Sequence, residues 1–560
     1  MRTLQLDVDS IHYEAISPEA EIYEDPEQRS LTMNDALVVM ISVEQGDNNE
    51  TAEKAIKDIE ALMDRLGRKN LLLYPYAHLS NTLAAPKEAM EVINHMKKSV
   101  SDRFVVEKAP FGWTKKPTIA IKGHPLAEQS RSYGTGDVKK VYRKVRPVEV
   151  NTSVVRKSDW SGLPESDHRT IGEQLDLYSF QEVSPSMVYW HPNGYVIYRE
   201  LVNFIRELEE EYGYEETSTP VIANTALWHV SGHYDHYKDN MFMFDTDMGH
   251  LGLKPMSCPS TILIYKSRKW SYRELPFRAS TFDKLYRKEI SGALTGLFRV
   301  MELTQDDGHI FLAEEQVEKE VERFLEFVRR VYDTFGMKFV AKLSTMPDSH
   351  MGDERLWEVA TGYLKKALDK QGMDYEIKDK EGAFYGPKID FDVFDSMGRA
   401  WQCATMQVDY QQPLRFGLEY TGEDGKQHTT VIIHRAALGS LERFIAILVE
   451  HYKGKFPTWL APVQIAVLSI SEQVADYADA VYQELRRHRI RAALDISDKT
   501  LQYKIRDAKM REVPYTLILG RKEAEAKTIS VRLRNGTQKN QLDLGDFIAQ
   551  IKEEIASRKN

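Results

Sequence analysis

The spacing of hydrophobic and polar positions changes along the chain and divides it into four segments. Residues 1–135 alternate between strand-like runs and helical spacing. We predict strands at 37–43, 71–76 and 119–122 from their short apolar runs. Helices are predicted at 49–66, where the apolar spacing ends at Gly67, and at 86–100, which begins with proline. This pattern predicts a compact α/β domain.

The second segment, residues 136–185, lacks sustained periodicity. Five cations fall within residues 139–146, and serine, aspartate and glycine are frequent up to Pro185. Such a composition is typical of a solvated linker, which is our interpretation of this segment.

Residues 186–456 form the largest segment, and their strands and helices do not alternate strictly. Helices are predicted at 198–212, 314–335, 356–371 and 441–452, and strands at 383–393 and 400–409. This order favours an antiparallel sheet with helices, an α+β arrangement. Residues 457–560 alternate regularly, with strands at 464–468, 491–494 and 515–519 and helices at 472–488 and 500–511. They predict a small α/β domain.

Composition narrows the class of protein further. Hydrophobic residues make up 42% of the 560 residues, which is ample for several cores, and the net charge is -10. The acidic total argues against a binder that relies on overall positive charge, although a local basic surface is sufficient for nucleic acid. Cys258 and Cys403 are the two cysteines, so a disulfide framework is excluded. We also expect no signal peptide and no membrane-spanning segment, and therefore a soluble cytoplasmic protein.

Three short segments carry residues that suit metal chemistry, and they contain Cys258, His309 and His434. Each is weak by itself, because a single cysteine or histidine is more often a packed core residue than a ligand. His434 is expected at the end of an apolar strand. His229, His233 and His236 form a second candidate, but the intervening glycine and polar residues favour a loop. His168 and His191 are interpreted as solvated loop residues.

At this point the sequence resembles one family, the threonyl-tRNA synthetases, which are class II aminoacyl-tRNA synthetases. The matching motifs run in order along nearly the whole chain. They are WHPNG at 190–194, SGHYDHYKDNMF at 231–242, KPMSCP at 254–259, QDDGHIF at 305–311, FYGPK at 384–388, WQCAT at 401–405, HR at 434–435 and GSLERF at 439–444.

The resemblance implies a site for threonine and ATP and assigns its residues. It makes Cys258, His309 and His434 ligands of Zn²⁺, with a fourth position open for threonine. It places a threonine pocket at Gln305, Asp307, Tyr385 and Gln407. It assigns ATP, with Mg²⁺, to Arg287, Glu289, Arg299, Lys388, Gln402 and Arg443, and puts His233 near the terminal ribose of tRNA. Arg287, Arg299, Arg443 and His233 are the implied catalytic residues. A buried neutral thiol is expected at Cys403.

The flanking segments resemble accessory domains of the same family. Residues 1–135 resemble the archaeal-type editing domain, which is similar to D-aminoacyl-tRNA deacylases, through YPYAHLS at 74–80, KAPFG at 108–112 and KGHPLAE at 122–128. By this resemblance, His78 and Lys122 act in hydrolysis of seryl-tRNA(Thr). Residues 457–560 resemble the anticodon-binding domain, with Glu523 and Arg532 at base-reading positions. From residue 456 onward the chain has 18 basic and 14 acidic residues, so this end is positive.

The resemblance also implies a homodimer and gives the basic residues 139–146 a second interpretation as a contact for the tRNA backbone. Two other functions stay open because Leu303 and Met301 stand where the family usually has phenylalanine and arginine. One is a tRNA-binding paralogue with a decayed activation site. The other is an editing hydrolase that acts in trans.

Overall fold

The structure is a computed structural model that describes residues 1–133, 160 and 162–558, except for positions 21, 27, 28, 81 and 125 and the side chains at 236 and 291. The chain divides into two compact units, Met1–Val148 and Glu149–Asn560. The basic residues 139–146 lie outside the described part. Among the described helices, none is long and apolar enough to cross a membrane.

The first unit is built on one mixed sheet. Its strands lie in the order β4-β3-β2-β1-β5, and β6 also pairs with β1. Their bounds are β1 Arg2–Pro18, β2 Ser30–Ser42, β3 Asn70–Pro75, β4 Val105–Lys108, β5 Trp113–Ile121 and β6 Glu128–Ser132. Helices α1 (Asn49–Leu66) and α2 (Pro86–Ser99) contribute Ile56, Ile59 and Ile93 to the core with strand residues such as Val39.

The ends of α1 follow from its sequence. The Asn48 side chain accepts the backbone N–H groups of Glu50 and Thr51, which satisfies two donors that a helix N-terminus leaves free. Gly67 ends the helix with a φ of 67°, a left-handed conformation that glycine adopts without steric cost. The α/β architecture predicted for this unit is confirmed, and β1 is a long strand in addition to those predicted.

The second unit contains a nine-stranded sheet in the order β17-β16-β18-β19-β22-β15-β13-β9, to which β14 is added through β15. Neighbours from β16 to β13 run antiparallel, as the sequence predicted for this segment. The strands of this region are β7 Tyr178–Gln181, β8 Ser184–Trp190, β9 Glu215–Glu216, β10 Ile222–Asn224, β11 Met243–Thr246, β12 Gly249–Leu253, β13 Phe277–Thr281, β14 Lys284–Tyr286, β15 Glu302–Leu312, β16 Lys338–Ser344, β17 Tyr375–Lys378, β18 Lys388–Phe394, β19 Ala400–Asp409, β20 Glu419–Thr421, β21 Gln427–Thr429 and β22 Val431–Ser440.

Helices cover this sheet and share one large core with it. The apolar side of α8 contributes Phe324, Val328 and Phe335, which pack with Phe444 from α11 and Phe391 from β18. The helices of this region are α3 His168–Gln174, α4 Pro192–Glu211, α5 Ala226–Ser231, α6 His233–Tyr237, α7 Cys258–Lys266, α8 Val317–Phe335, α9 Glu354–Lys370, α10 Gln411–Phe416 and α11 Leu441–His451.

The C-terminal part of the second unit has its own sheet, in the order β24-β23-β25-β26-β27. β23 runs parallel to both β24 and β25, as expected for β-α alternation, whereas β26 and β27 add an antiparallel edge. The elements are β23 Ile465–Ser469, β24 Ala492–Asp495, β25 Tyr515–Leu519, β26 Ile529–Leu533, β27 Gln538–Leu542, α12 Ala475–Arg487, α13 Leu501–Met510, α14 Arg521–Ala526 and α15 Leu544–Ser557.

Several local predictions are wrong. The segment from His229 to His236 was predicted as a loop but forms α5 and α6. His434 lies within β22, not at the end of a strand, and the helix predicted from 198 begins at Pro192. Residues 168–177, interpreted as part of a solvated linker, place Ile171, Leu175 and Leu177 in the large core. The proposed domain boundaries themselves stay predictions.

Candidate active site

Three buried side chains of the second unit form a candidate metal site. Cys258 is the first residue of α7, and His309 and His434 lie directly opposite each other on the neighbouring strands β15 and β22. The sulfur and one ring nitrogen of each histidine lie within 4.8 Å of one another. The structure therefore brings together the three residues that the resemblance assigned as ligands.

The surroundings of this group fit a metal ion. The His434 Nε2 lies 2.9 Å from Asp409 Oδ2, so the carboxylate holds one ring nitrogen and leaves Nδ1 for a ligand bond. The His309 Nδ1 is buried and has no hydrogen-bond partner among the described atoms. Burial raises the pKa of the Cys258 thiol and lowers the pKa of His309. A divalent cation would offset the penalty on the thiolate, and it would bind the neutral imidazole that burial already favours.

Asp409 was not singled out from the sequence, and it provides the first prediction. If this group binds a metal ion, we expect Asp409→Asn to weaken the binding about 10–100-fold, because an amide orients the imidazole of His434 less strongly than a carboxylate does. Competition with a chromophoric chelator measures the affinity. Asp409 also accepts the N–H groups of Gln411 and Gln412 at the start of α10. Asp353→Asn is the matched control, since Asp353 likewise accepts the Arg355 N–H at the start of α9. An unchanged metal affinity in Asp409→Asn would remove Asp409 from the candidate metal site.

The residues predicted to bind threonine lie around the candidate metal site of Cys258, His309 and His434, called the metal group below. Asp307 lies two residues before His309 on β15, so both side chains emerge on the same face of the strand. Burial raises the pKa of Asp307. The Tyr385 hydroxyl donates to Gln407 Oε1, and the Tyr385 ring centre lies 5.4 Å from that of His434. Gln407 faces His434 across β19 and β22.

The arginines predicted to bind ATP lie just beyond the ends of strands of the same sheet. Arg287 follows β14, and its Nη2 donates to Gln305 Oε1 at 3.2 Å. Arg299 pairs with Glu289 at 3.1 Å but is 54% exposed. Arg443, in the first turn of α11, has its guanidinium 5.8 Å from the centre of the Trp401 ring. Its Nε is buried and has no partner among the described atoms.

The other residues predicted to bind ATP differ in whether their side chains are already engaged in contacts within the protein. Gln402 is exposed next to Trp401 on β19. The Lys388 ammonium is paired with Asp390 at 2.6 Å, so in this structure it is engaged within the protein. Leu303 is buried and packs with Leu285 and Val300, which gives it a role in a small apolar cluster beneath the sheet.

His233, predicted near the tRNA ribose, lies beside the metal group. It is fully buried in α6, with its Nε2 3.8 Å from Cys258 Sγ and its Nδ1 2.8 Å from Ser231 Oγ. Cys403 is buried, and burial raises the pKa of its thiol, in agreement with the expected neutral side chain.

A charged cluster that the sequence analysis missed lies under the site. The Arg435 guanidinium is fully buried and donates to Glu209 at 2.5 Å and to the Asp306 carbonyl at 2.9 Å. The Asp306 carboxylate accepts the N–H groups of Ala437 and Leu438, and burial raises its pKa to about 7. These contacts hold β15 and β22 in the register that places His309 opposite His434.

Gly308 makes this arrangement possible. A Cβ at this position would lie 2.2 Å from Arg435 Nε, which is closer than atoms can approach. Residue 308 must therefore lack a side chain for Arg435 to occupy its buried position.

A cavity of about 470 Å³ in the first unit is lined by one of the two residues of the predicted editing site. His78 lines it, together with Tyr74, Phe111 and Trp113. Lys122 is not one of the residues that line this cavity, and its ammonium pairs instead with Asp9 at 2.7 Å and Asp35 at 3.0 Å. The structure thus does not bring Lys122 to His78.

A different lysine lines the cavity. Lys115 lies on β5 and donates to the carbonyl groups of Pro110 at 3.0 Å and Trp113 at 2.9 Å. Burial lowers the pKa of Lys115 to about 8. The sequence analysis did not select this residue, although Lys115 stands only three residues after the KAPFG motif.

The two predicted base-reading residues lie in the C-terminal sheet domain. Glu523 accepts the Gly520 N–H at 2.9 Å and the Ser530 hydroxyl at 2.8 Å, so it caps α14 in this structure. Arg532 is half-buried on β26. Tyr503, on α13, has an exposed ring, and the Lys499 Nζ lies 4.4 Å from the centre of that ring.

Comparison with known families agrees with this architecture. Residues 242–452 match the tRNA synthetase class II core domain (G, H, P, S and T), and residues 464–554 match an anticodon-binding domain. The antiparallel sheet that carries this candidate metal site is therefore the core of a class II tRNA synthetase. Residues 1–133 match the Archaea-specific editing domain of threonyl-tRNA synthetase.

Individual relatives show which family of class II synthetases the chain belongs to. The threonine–tRNA ligase of Clostridium botulinum (strain Langeland) is 43% identical over 451 residues, which cover 79% of this chain and 70% of that protein. The chain belongs to the threonine–tRNA ligase family. The enzyme of the same name from Thermotoga neapolitana is 48% identical over 394 residues, or 70% of this chain, and this match spans only 62% of the relative's length.

A solved structure supports the fold. It is described as the RNA binding domain of threonyl-tRNA synthetase from Cryptosporidium parvum and superimposes with a TM-score of 0.68 at 43% identity. The match covers 69% of this chain and 98% of that one.

Proposed function

We propose that this chain activates L-threonine with ATP and transfers it to the 3′ end of tRNA(Thr). The observation that carries the proposal is the buried group of Cys258, His309 and His434 beside Asp307 on a class II synthetase sheet. Such a site combines metal ligands with a carboxylate that accepts a hydroxyl hydrogen bond. It suits threonine and disfavours valine, which would leave the polar groups unpaired.

Zn²⁺ is the ion we propose for this group, because one thiolate and two imidazoles suit its ligand preference and leave one position open. When bound, the ion would supply Lewis-acid chemistry to threonine at this open position. Asp307 then accepts the hydroxyl hydrogen bond, and the hydrogen-bonded pair of Tyr385 and Gln407 forms a wall of the pocket.

Activation requires compensation of phosphate charge, which we assign to Arg287, Arg299 and Arg443. The threonine carboxylate attacks the α-phosphorus of ATP, and the bond to the departing pyrophosphate breaks. Positioned cations stabilise the charge that develops in this step. Arg443 supports the assignment because its Nε is buried without a partner among the described atoms. Mg²⁺ accompanies ATP, with further contacts from Glu289, Lys388 and Gln402.

In the transfer step, the terminal ribose hydroxyl of tRNA attacks the threonyl-adenylate and AMP leaves. We assign His233 to this step, since it lies next to the metal group. The C-terminal domain, with Arg532 and Glu523, is proposed to recognise the anticodon of tRNA(Thr). Glu523 must exchange its helix-capping contacts for a base when it does so.

Threonine-dependent exchange of labelled pyrophosphate into ATP tests the activation step. Purified, zinc-loaded protein is expected to exchange with threonine and not with valine. Absence of exchange would overturn the proposal, and the remaining activity would then identify the function. Seryl-tRNA hydrolysis alone would indicate an editing hydrolase in trans, and tRNA binding alone a non-catalytic paralogue.

The first unit is proposed to hydrolyse seryl-tRNA(Thr). Serine keeps the hydroxyl and lacks one methyl group, so a pocket rejects it by only about 1–3 kcal/mol, and correction is needed. The cavity lined by His78 and Lys115 is the site we propose for this reaction. Lys115 takes the role that the sequence analysis gave to Lys122.

A homodimer is proposed from the family resemblance. Ile222 on β10 and Met248 in the turn between β11 and β12 support it, because these apolar side chains are 50% and 74% exposed. Sedimentation equilibrium tests the oligomeric state. A cytoplasmic location stays a prediction.

A further inference from the structure

His168 is a fully buried histidine outside the set of residues assigned to ATP. It begins α3, and both of its ring nitrogens are engaged. Nε2 accepts the backbone N–H of Leu297 at 3.1 Å, so Nδ1 carries the proton and donates it to Glu450 Oε1 at 2.7 Å. The ring therefore bridges a loop and a helix that are far apart in the sequence.

The loop lies directly on the imidazole and leads into Arg299. Gly296 has a φ of 49°, and a Cβ there would lie 2.3 Å from His168 Nε2. Phe298 continues the contact, with its ring centre 4.4 Å from that of His168. The same Phe298 ring stacks on Trp401 at 4.3 Å with an interplanar angle of 16°.

The helix at the other side is α11, which carries Arg443 in its first turn and Glu450 near its end. Glu450 also accepts the His168 backbone N–H at 2.9 Å and pairs with Arg399 at 2.5 Å. The guanidinium groups of Arg399 and Arg443 lie 5.1 Å and 5.8 Å from the centre of the Trp401 ring. One continuous set of contacts thus joins the loop before Arg299 to the helix of Arg443.

A metal site is the competing interpretation, because Asp167, His168 and Glu450 also place ligand atoms within 4.8 Å of one another. The hydrogen bonds argue against it. Both His168 nitrogens are occupied, and the two Asp167 oxygens bind Arg169 at 2.9 Å and 2.8 Å. The negative charges of this group are balanced by arginines.

We propose that His168 is a positioning residue that fixes the loop carrying Arg299 relative to Arg443 for ATP binding. The inference rests on the proposed ATP-dependent activation of threonine. The imidazole makes two hydrogen bonds that an aliphatic or benzyl side chain cannot make. It accepts the Leu297 N–H and donates to Glu450. Arg299 and Arg443 are not among the residues proposed to bind threonine, so we expect the effect to be specific to ATP.

The test compares His168→Phe, His168→Gln and the matched control His191→Phe in pyrophosphate exchange. Phenylalanine keeps an aromatic ring but no polar atom, and we expect the KM for ATP to rise at least about tenfold, with the KM for threonine unchanged. Glutamine keeps an acceptor for the Leu297 N–H and should restore most of the ATP affinity. His191, whose ring binds Asp176 and Ser179, should tolerate phenylalanine without an ATP effect.

Three outcomes would overturn the inference: an unchanged KM for ATP in His168→Phe, equal rises for ATP and threonine, or no rescue by glutamine. Gly296→Ala provides a second variant if His168→Phe does not fold, because it disturbs the same contact from the loop. ATP titrations followed by tryptophan fluorescence, with Trp401 as reporter, separate the two proposals. If the wild-type protein binds ATP but does not exchange pyrophosphate, the proposal of threonine activation fails, and the effect of His168 is still measured on ATP binding. If the wild-type protein binds no ATP, the activation proposal and the His168 inference both fail.

Discussion

Replacing His309 with alanine is expected to reduce threonine-dependent pyrophosphate exchange at least about 10³-fold, because loss of one positioned electrostatic group alone costs about 10²–10³. The His309 Nδ1 is buried without a partner among the described atoms, so its removal breaks no hydrogen bond. What the variant loses is a proposed metal ligand. Metal content by mass spectrometry and exchange kinetics measure the two consequences together.

Deacylation of seryl-tRNA provides the internal comparison for this variant. The cavity proposed for it lies in the first unit, whereas His309 lies in the second, so hydrolysis should continue unchanged. His250→Ala is a suitable control, since His250 is an exposed histidine paired with Asp245. Exchange that survives in His309→Ala, or deacylation that disappears with it, would refute the assignment of two separate sites.

The second large effect is expected at Lys115. Changing Lys115 to methionine should slow hydrolysis of seryl-tRNA(Thr) about 10²–10⁴-fold, the usual contribution of a positioned general base. Because burial lowers its pKa to about 8, a neutral amine becomes available as the pH rises from 7 to 9. The wild-type rate should therefore rise through about pH 8 and level off above it, and the variant should lack this step.

Lys122→Met is the matched control for Lys115, because it changes the same residue type at the far end of the same strand region. Lys122 is held by Asp9 and Asp35 and does not line the cavity, so deacylation should keep its rate. Thermal melting of both variants shows whether loss of the Lys115 contacts to the Pro110 and Trp113 carbonyls destabilises the unit. A slow Lys122→Met enzyme together with an active Lys115→Met enzyme would reverse the assignment.

Periodicity predicted the regular elements well and their ends less well. The strand at 400–409 and the C-terminal end of α8 at Phe335 agree with the structure, since both have clear apolar spacing. The strand expected from 383 begins at Lys388, because Ala383 and Gly386 pair in a tight turn before it. Proline and glycine in the first turn of α4 concealed its start at Pro192.

Candidate site residues were predictable where a motif identified them and not where only tertiary contacts do. Cys258, His309 and His434 meet as the resemblance implied. His168 could not be recognised as buried, because its partner Glu450 is remote in the sequence. Lys115 and Lys122 follow similar local patterns, and only the folded sheet shows which of them lines the cavity.

The metal group has a consequence for biosynthesis. Its ligands come from the start of one helix and from two strands that pair only after a long intervening stretch of chain has been made. A nascent polypeptide released from the ribosome before His434 cannot assemble the complete set. We therefore expect a fragment that ends before His434 to be inactive in threonine activation, because it lacks one proposed metal ligand and also Arg443, which is assigned to ATP.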